Sequence, residues 1–224
     1  MIYILSMDIQ FLTHNRHLED PNSFEEMDPQ LHRLKNQPYI YQSKLLKELP
    51  VETPGIYTVT GGRQVGKTTL LKQWMLKLLK AGGNPENIAF FSGELIDDQH
   101  VLLRIIQEQL SQVRDQSLNY LIVDEVTYIK NWEKAVKYAA DAGLLQNVVL
   151  ILTGSDSILI QEARMSFPGR RGTSIKNDFH LYPLSFCEVF ELKKGRINKE
   201  ELSAEKLYDE FKYYLQHGGY LTAI

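Results

Sequence analysis

The sequence predicts an α/β fold: three α/β/α layers around a mainly parallel sheet, followed by the start of a small helical subdomain. Two observations carry that prediction. Strand-like and helical segments alternate from about residue 56 to residue 153, an order that builds a parallel sheet with helices on its faces. The strand segments, such as YLIVD, are near-continuous apolar runs, as expected of strands buried on both sides.

Taken in order, residues 1–24 read as a polar, irregular lead, with His14 and His17 solvated rather than paired on a metal. Residues 28–50 predict a short helix, an aromatic turn and a second helix. Strands are expected at 56–60, 88–92, 120–124 and 148–153. Between them, apolar residues at spacings of three and four predict helices at 67–81, 98–112 and 131–142. Gly82-Gly83 and Gly143 supply helix stops. A further helix is read at SILIQEAR, and the charged stretch 193–206 reads as a solvated loop and helix face. The expected division is an N-terminal extension at 1–25, a core at 26–185 and an incomplete helical subdomain at 186–224.

Composition narrows the class. A chain of 224 residues, 43% hydrophobic, can bury the core of one α/β domain with a smaller remainder. A formal net charge of -3 gives no global field that advertises nucleic acid. Cys187 is the single cysteine, which forbids an internal disulfide and favours a reducing, cytoplasmic setting. Its apolar neighbours predict a buried filler. The opening MIYILSM is too short to span a membrane and lacks a basic leader.

The chemistry is concentrated at strand ends, where open α/β sheets gather it. GGRQVGKTTL, residues 61–70, contains G-x-x-x-x-G-K-T between the first strand and its helix, the context of a phosphate-binding loop and hence of the P-loop NTPase fold. Gly61, Gly62, Arg63, Gln64, Val65, Gly66, Lys67, Thr68 and Thr69 are therefore assigned to the nucleotide, although Arg63 is expected to face solvent or a partner. Gly61 and Gly66 let backbone N–H groups approach phosphate oxygens. Lys67 supplies a point charge to the β- and γ-phosphates, and the Thr68 hydroxyl is a Mg²⁺ ligand. The third strand ends in Asp124-Glu125: Asp124 is assigned to Mg²⁺ and Glu125 to polarising the attacking water. The fourth ends in Thr153-Gly154-Ser155-Asp156, with Thr153 the first choice and Ser155 the second for a hydroxyl reaching the γ-phosphate or the water. Capping of the next helix competes for Ser155 and Asp156. In PGRRG, Arg170 or Arg171 is a candidate arginine finger, in cis or from a neighbouring subunit, against a solvated turn.

Together GGRQVGKTTLL, YLIVDEVTYIKNWEKAVK, VVLILTGSDS, the GRR turn and LYPLSFCEVF resemble a family of prokaryotic AAA-like ATPases related to the STAND class, over about residues 26–224. The resemblance places that family's phosphate-loop residues on Lys67 and Thr68, its acidic pair on Asp124 and Glu125, its sensor on Thr153 or Ser155, and its turn arginine on Arg170. It also implies that residues 38–41 hold the adenine, with Tyr39 or Tyr41 stacking on it. Family members carry Gly-Gly-aromatic-Pro where this chain has Gly218-Gly219-Tyr220-Leu221. That departure, with the ending HGGYLTAI, reads as a truncated protein or a fragment.

The expected function is therefore a Mg²⁺-dependent ATPase whose nucleotide state changes the shape or assembly of the chain and drives an attached domain or a protein partner. Homo-oligomerisation belongs to that reading, and nucleic acid enters by family analogy alone. The first alternative is a slowly hydrolysing nucleotide switch. A small-molecule phosphotransferase is the second, weakened by Glu125, which suits water. ATP is favoured over GTP because no N-K-x-D motif is present.

Overall fold

The structure, a computed structural model, describes residues 7–113, 117–155, 160–161, 167, 169–194 and 203–221. In chain order the helices are α1 (Ile9–Leu12), α2 (Phe24–Met27), α3 (Pro29–Lys35), α4 (Leu45–Glu48), α5 (Lys67–Lys80), α6 (Gln99–Gln112), α7 (Trp132–Asp141), α8 (Phe186–Lys194) and α9 (Ala204–His217). The strands are β1 (Gly55–Thr60), β2 (Ile88–Ser92), β3 (Asn119–Asp124), β4 (Val148–Gly154) and β5 (Asp178–His180). The helix expected at SILIQEAR falls largely outside the described residues, as do Asp156, Pro168 and residues 195–202.

All strand pairs are parallel, in the order β2-β3-β4-β1-β5. Side chains alternate across the sheet as the pleat requires. Ile56, Phe91, Leu121, Val123, Leu150 and Leu152 pack with α6 and α7 on one face. Tyr57, Val59, Phe90, Ile122, Val149 and Ile151 pack with α3, α4 and α5 on the other. This is the expected three-layer P-loop NTPase architecture. The strand that sequence reading missed, β5, is three residues long, and only Phe179 of it is buried; so short an edge strand has no period to detect.

The lead segment departs from its expected irregularity. Phe11 and Phe24 are buried in the two cores. The Asn15 amide acts as a substitute neighbouring strand along the open edge of β2: its nitrogen donates to the Phe90 carbonyl at 2.7 Å and its oxygen accepts from the Phe90 N–H at 2.8 Å. His17, expected to be solvated, is fully buried, with Nε2 2.9 Å from the Ile88 carbonyl. Residues 11–18 thus cover an edge that would otherwise present unpaired backbone.

Burial above all lowers the His17 pKa to about 4. An unfolded His titrates near 6.5, so below that pH the unfolded chain binds a proton the folded one refuses. Stability is intact above pH 6.5 and falls as pH drops towards 4. Between pH 7 and pH 5 the loss traceable to His17 is expected to be about 2 kcal/mol. Urea titrations at both pH values check this: the difference should shrink by that amount in His17→Gln and stay unchanged if His17 is not the cause.

Two further expectations are corrected. Cys187 is exposed, not buried, because α8 turns Val189 inward and leaves Cys187 on the outer face. Lys193, read as solvated, is largely covered, pairing with Glu210 at 3.1 Å across α8 and α9 and lying over the Tyr213 ring.

Candidate nucleotide site

The sheet order decides the site. With β4 between β3 and β1, the carboxyl ends of three strands place Asp124-Glu125, Thr153 and residues 61–66 side by side. Gly66, at φ 99° and ψ 24°, makes the left-handed turn into α5, and no side chain caps that helix. Its first-turn N–H groups are therefore open to an anion, at the end where the helix dipole favours one.

Lys67 is buried, and its three ammonium protons have three acceptors: the carbonyls of Gly61 at 3.0 Å and Gly62 at 3.1 Å, and Glu125 Oε1 at 3.2 Å. The Thr68 hydroxyl donates to Asp124 Oδ2 at 2.6 Å. Thr153 is fully buried and donates its single hydroxyl proton to Asp124 Oδ1, while its oxygen accepts the Glu125 N–H at 3.0 Å. That proton goes to a carboxylate, so Thr153 holds the acidic pair from beneath. Ser155, the second choice, meets Glu125 Oε2 through both its N–H and its hydroxyl, at 3.1 and 3.2 Å.

Glu125 itself is left-handed, at φ 51° and ψ 48°, and Gln64 in the loop has φ 62°. Such conformations cost non-glycine residues about 1–3 kcal/mol and persist where neighbours over-determine them. For Glu125 they do: Thr153 holds its N–H, and Lys67 and Ser155 hold its carboxylate.

The Mg²⁺ assignment passes a chemical test. Thr68 Oγ1 and Asp124 Oδ2 are hard oxygen donors already in contact, the set this ion takes when substrate phosphates and water complete its shell. No cluster of three or more His, Cys, Asp or Glu side chains among the described residues offers an all-protein cage.

Beside the phosphate loop lies a cavity of about 250 Å³, lined by Gly66, Thr69, Tyr41, Leu181, Tyr182, Leu184, Gly219, Tyr220 and Leu221 among others. Of the two aromatics proposed for the base, Tyr41 lines it and Tyr39 does not. Burial, and then the neighbouring Glu188 carboxylate, push the Tyr41 hydroxyl up to about 12, so it stays protonated and donates to Glu188 at 2.8 Å. Glu188 is fixed in turn by a capping box at the start of α8, in which it accepts from the Ser185 N–H at 2.9 Å while the Ser185 hydroxyl accepts from the Glu188 N–H at 3.3 Å.

The contribution of Gly219, Tyr220 and Leu221 to this wall was not expected from sequence. Gly219 accepts the Leu184 N–H at 2.8 Å, and a β-carbon there would lie 1.8 Å from the Leu184 carbonyl oxygen. Only glycine permits that approach. The HGGYL signal was visible, but the fold was needed to carry it across from α9.

Arg170 and Arg171 are not brought to this site. Arg170 pairs with Asp141 at the end of α7, its Nη2 3.3 Å from Oδ2. Arg171 pairs with Asp178 and donates to the carbonyls of Ile56 and Asn177. These partners, Asp141 at the end of α7 and Ile56 near the start of β1, lie towards the amino-terminal side of the sheet, away from the phosphate loop. Arg63 is exposed, as expected.

Comparison with known proteins follows the same line. The sequence model of a family described as AAA domain matches residues 53–190. An uncharacterized protein of Haemophilus influenzae is 27% identical over 178 residues, covering 77% of this chain and 41% of its own. Uncharacterized protein MJ1544 of Methanocaldococcus jannaschii is 26% identical over 223 residues, 96% of this chain and 46% of its own. The chain thus spans less than half the length of these curated relatives. Among solved structures, the Walker-type ATPase PABY2304 of Pyrococcus abyssi aligns over 86% of this chain and 62% of its own at 14% identity and a TM-score of 0.48. A RuvB variant of Thermotoga maritima aligns over 62% and 42% at 21% identity and a TM-score of 0.42.

Proposed function

The chain belongs to the AAA domain family, and on that premise we propose that it binds and hydrolyses MgATP, the nucleotide state changing the conformation of an attached domain or partner. The observation that carries this reading is the meeting of Lys67, Thr68, Asp124 and Glu125 at one strand edge. ATP lies with its phosphates on the open N-terminus of α5 and its base in the adjoining cavity against Tyr41 and Tyr220. Lys67 turns from Glu125 to the β- and γ-phosphates, and Thr68 and Asp124 would hold Mg²⁺, whose charge would offset that of the phosphate oxygens. Glu125, freed of the lysine, accepts a proton from water as the water oxygen bonds to the γ-phosphorus. The bond to the β–γ bridging oxygen breaks, leaving ADP and phosphate.

The output of the cycle runs through the cavity wall. Leu184, Tyr220 and Leu221 join it to α8 and α9, so occupancy repositions those helices and whatever follows them. Arg170, paired with Asp141 in its own chain, takes part from a second copy of the chain. Among the described residues no helix is long and apolar enough to cross a membrane.

Phosphate release from MgATP by the purified chain, with ATP binding measured on the same sample, tests the reading. Saturable release with a turnover above the no-protein control is expected. Tight binding without release would replace the hydrolase by a slow nucleotide switch, and absence of both would remove the reading.

A further inference from the structure

We propose that the groove between α3, α4 and α5 is a second ligand site, for a small amphipathic anion with an acidic head on an apolar body. The groove is a cavity of about 470 Å³, a size that takes in a small molecule nearly whole. Much of its lining is aliphatic: Leu31 and Leu34 of α3, Leu46 of α4, Leu76 of α5, and Ile40 from the segment before α4. Leu31 and Leu46 are buried, but Ile40 is 57% exposed, a large apolar side chain left against water beside an apolar recess. An apolar body seated there removes that surface from water.

The lysines decide the charge. Lys35, Lys47, Lys77 and Lys80 line the groove against one acid, Glu25. Two of the four are already neutralised: Lys80 pairs with Glu25 at 2.8 Å and Lys35 pairs with Glu26. The other two are not. Lys77 donates to a neutral acceptor, the Leu46 carbonyl at 3.2 Å, which brings its ammonium to the residue next to Lys47. Among the described residues neither Lys47 nor Lys77 forms an ion pair. Two uncompensated cations beside an aliphatic lining suit an anion that carries an apolar tail, since a small, fully hydrated anion would lose water to the lining with nothing in return.

The position of the groove gives the site a regulatory consequence. Leu34 and Gln73 line it and also line the cavity beside the phosphate loop, so the two spaces share a wall. Gln73 is half-buried on α5, and its amide makes no hydrogen bond to any described residue; its donors and acceptor are open to a ligand. An occupant of the groove holds α3 against α5 and fixes this wall, so a nucleotide entering the adjoining cavity has less left to order. The coupling rests on the nucleotide reading above, whereas the anion site stands without it.

Decanoate below its micellar concentration is the probe, with decylammonium as its match in apolar length and its opposite in charge. Isothermal titration of the purified chain should show saturable decanoate binding, with decylammonium at least about 10-fold weaker. Lys47→Glu, at an exposed position, should weaken decanoate by about 10-fold, and Lys77→Gln, which keeps a donor for the Leu46 carbonyl, should act in the same direction. Saturating decanoate should tighten ATP binding about 5-fold, and saturating ATP should tighten decanoate by the same factor. Gln73→Ala should shrink both gains together. Absence of decanoate binding, equal affinity for the two probes, or wild-type affinity in Lys47→Glu overturns the anion site. An ATP affinity that decanoate leaves unchanged or lowers overturns the coupling. If ATP itself does not bind, the nucleotide reading falls and the coupling with it, while the decanoate titrations still decide the site.

Discussion

Replacing Glu125 by Gln is expected to cut phosphate release from MgATP by at least about 100-fold while ATP binds more tightly than to the wild type. Both halves follow from one contact. The glutamine is nearly isosteric but cannot take a proton from water, so the chemical step slows. Glu125 Oε1 is also the counter-ion of Lys67, at 3.2 Å and largely buried; every incoming polyphosphate must displace it. A neutral amide competes less for the ammonium, leaving more of the lysine's interaction to the nucleotide. Lys67→Ala should show the opposite pattern, with binding and hydrolysis lost together. Isothermal titration with ATP and a coupled phosphate assay on the three proteins separate these outcomes. If Glu125→Gln bound ATP more weakly than wild type, the carboxylate would not be competing with nucleotide for the lysine.

The second large effect lies in the core. Lys72, on α5 one turn beyond Thr68, is fully buried. Its ammonium is 3.0 Å from Asp28 Oδ2, donates to the His14 carbonyl and lies 4.0 Å above the Phe90 ring. Burial pulls its pKa down, opposed by Asp28. Lys72→Met is expected to cost about 3–5 kcal/mol in a urea titration, because it strands a buried carboxylate without its partner. Adding Asp28→Asn should return a good part of that. The asparagine oxygen can still cap α3, as Asp28 Oδ1 does by accepting from the N–H groups of Gln30 and Leu31 at 2.9 and 3.1 Å, and it leaves no net charge behind. A loss below about 1 kcal/mol in Lys72→Met would mean that water reaches Asp28.

How much of this was legible in the sequence depended on whether the signal was local. The four long strands were readable because each is a near-continuous apolar run. Lys67, Thr68, Asp124 and Glu125 were readable because the order phosphate loop, then acidic strand end, fixes their meeting. What escaped was carried by long-range pairing. Asn15 and Phe90 are 75 residues apart, as are His17 and Ile88 to within a few, and no window of sequence joins them; polar residues in an apparently irregular lead read as solvent-facing until the β2 edge is in place. The surroundings of Arg170 were hidden for a related reason. Two arginines between glycines show an exposed turn, but which end of the sheet that turn occupies depends on the path after β4. Thr153 was assigned a hydroxyl for the γ-phosphate or the water, and only the folded chain reveals that its one proton goes to Asp124.

The cavity wall built by Tyr41, Gly66, Leu184 and Tyr220 has a consequence for the chain as a polymer. Those residues come from near the beginning, the first third and the far end of the sequence. A molecule seated among them ties together segments separated by well over a hundred residues, in the manner of a reversible cross-link. The entropy of closing so long a loop grows only slowly with its length, so the protein portion has largely met that cost on folding. Ligand binding then falls chiefly on the least secured segment, α9, none of whose residues is buried. Saturating nucleotide should therefore slow amide hydrogen exchange in α9 more than in any strand of the sheet, merging the fraying of the last helix with the global unfolding of the core.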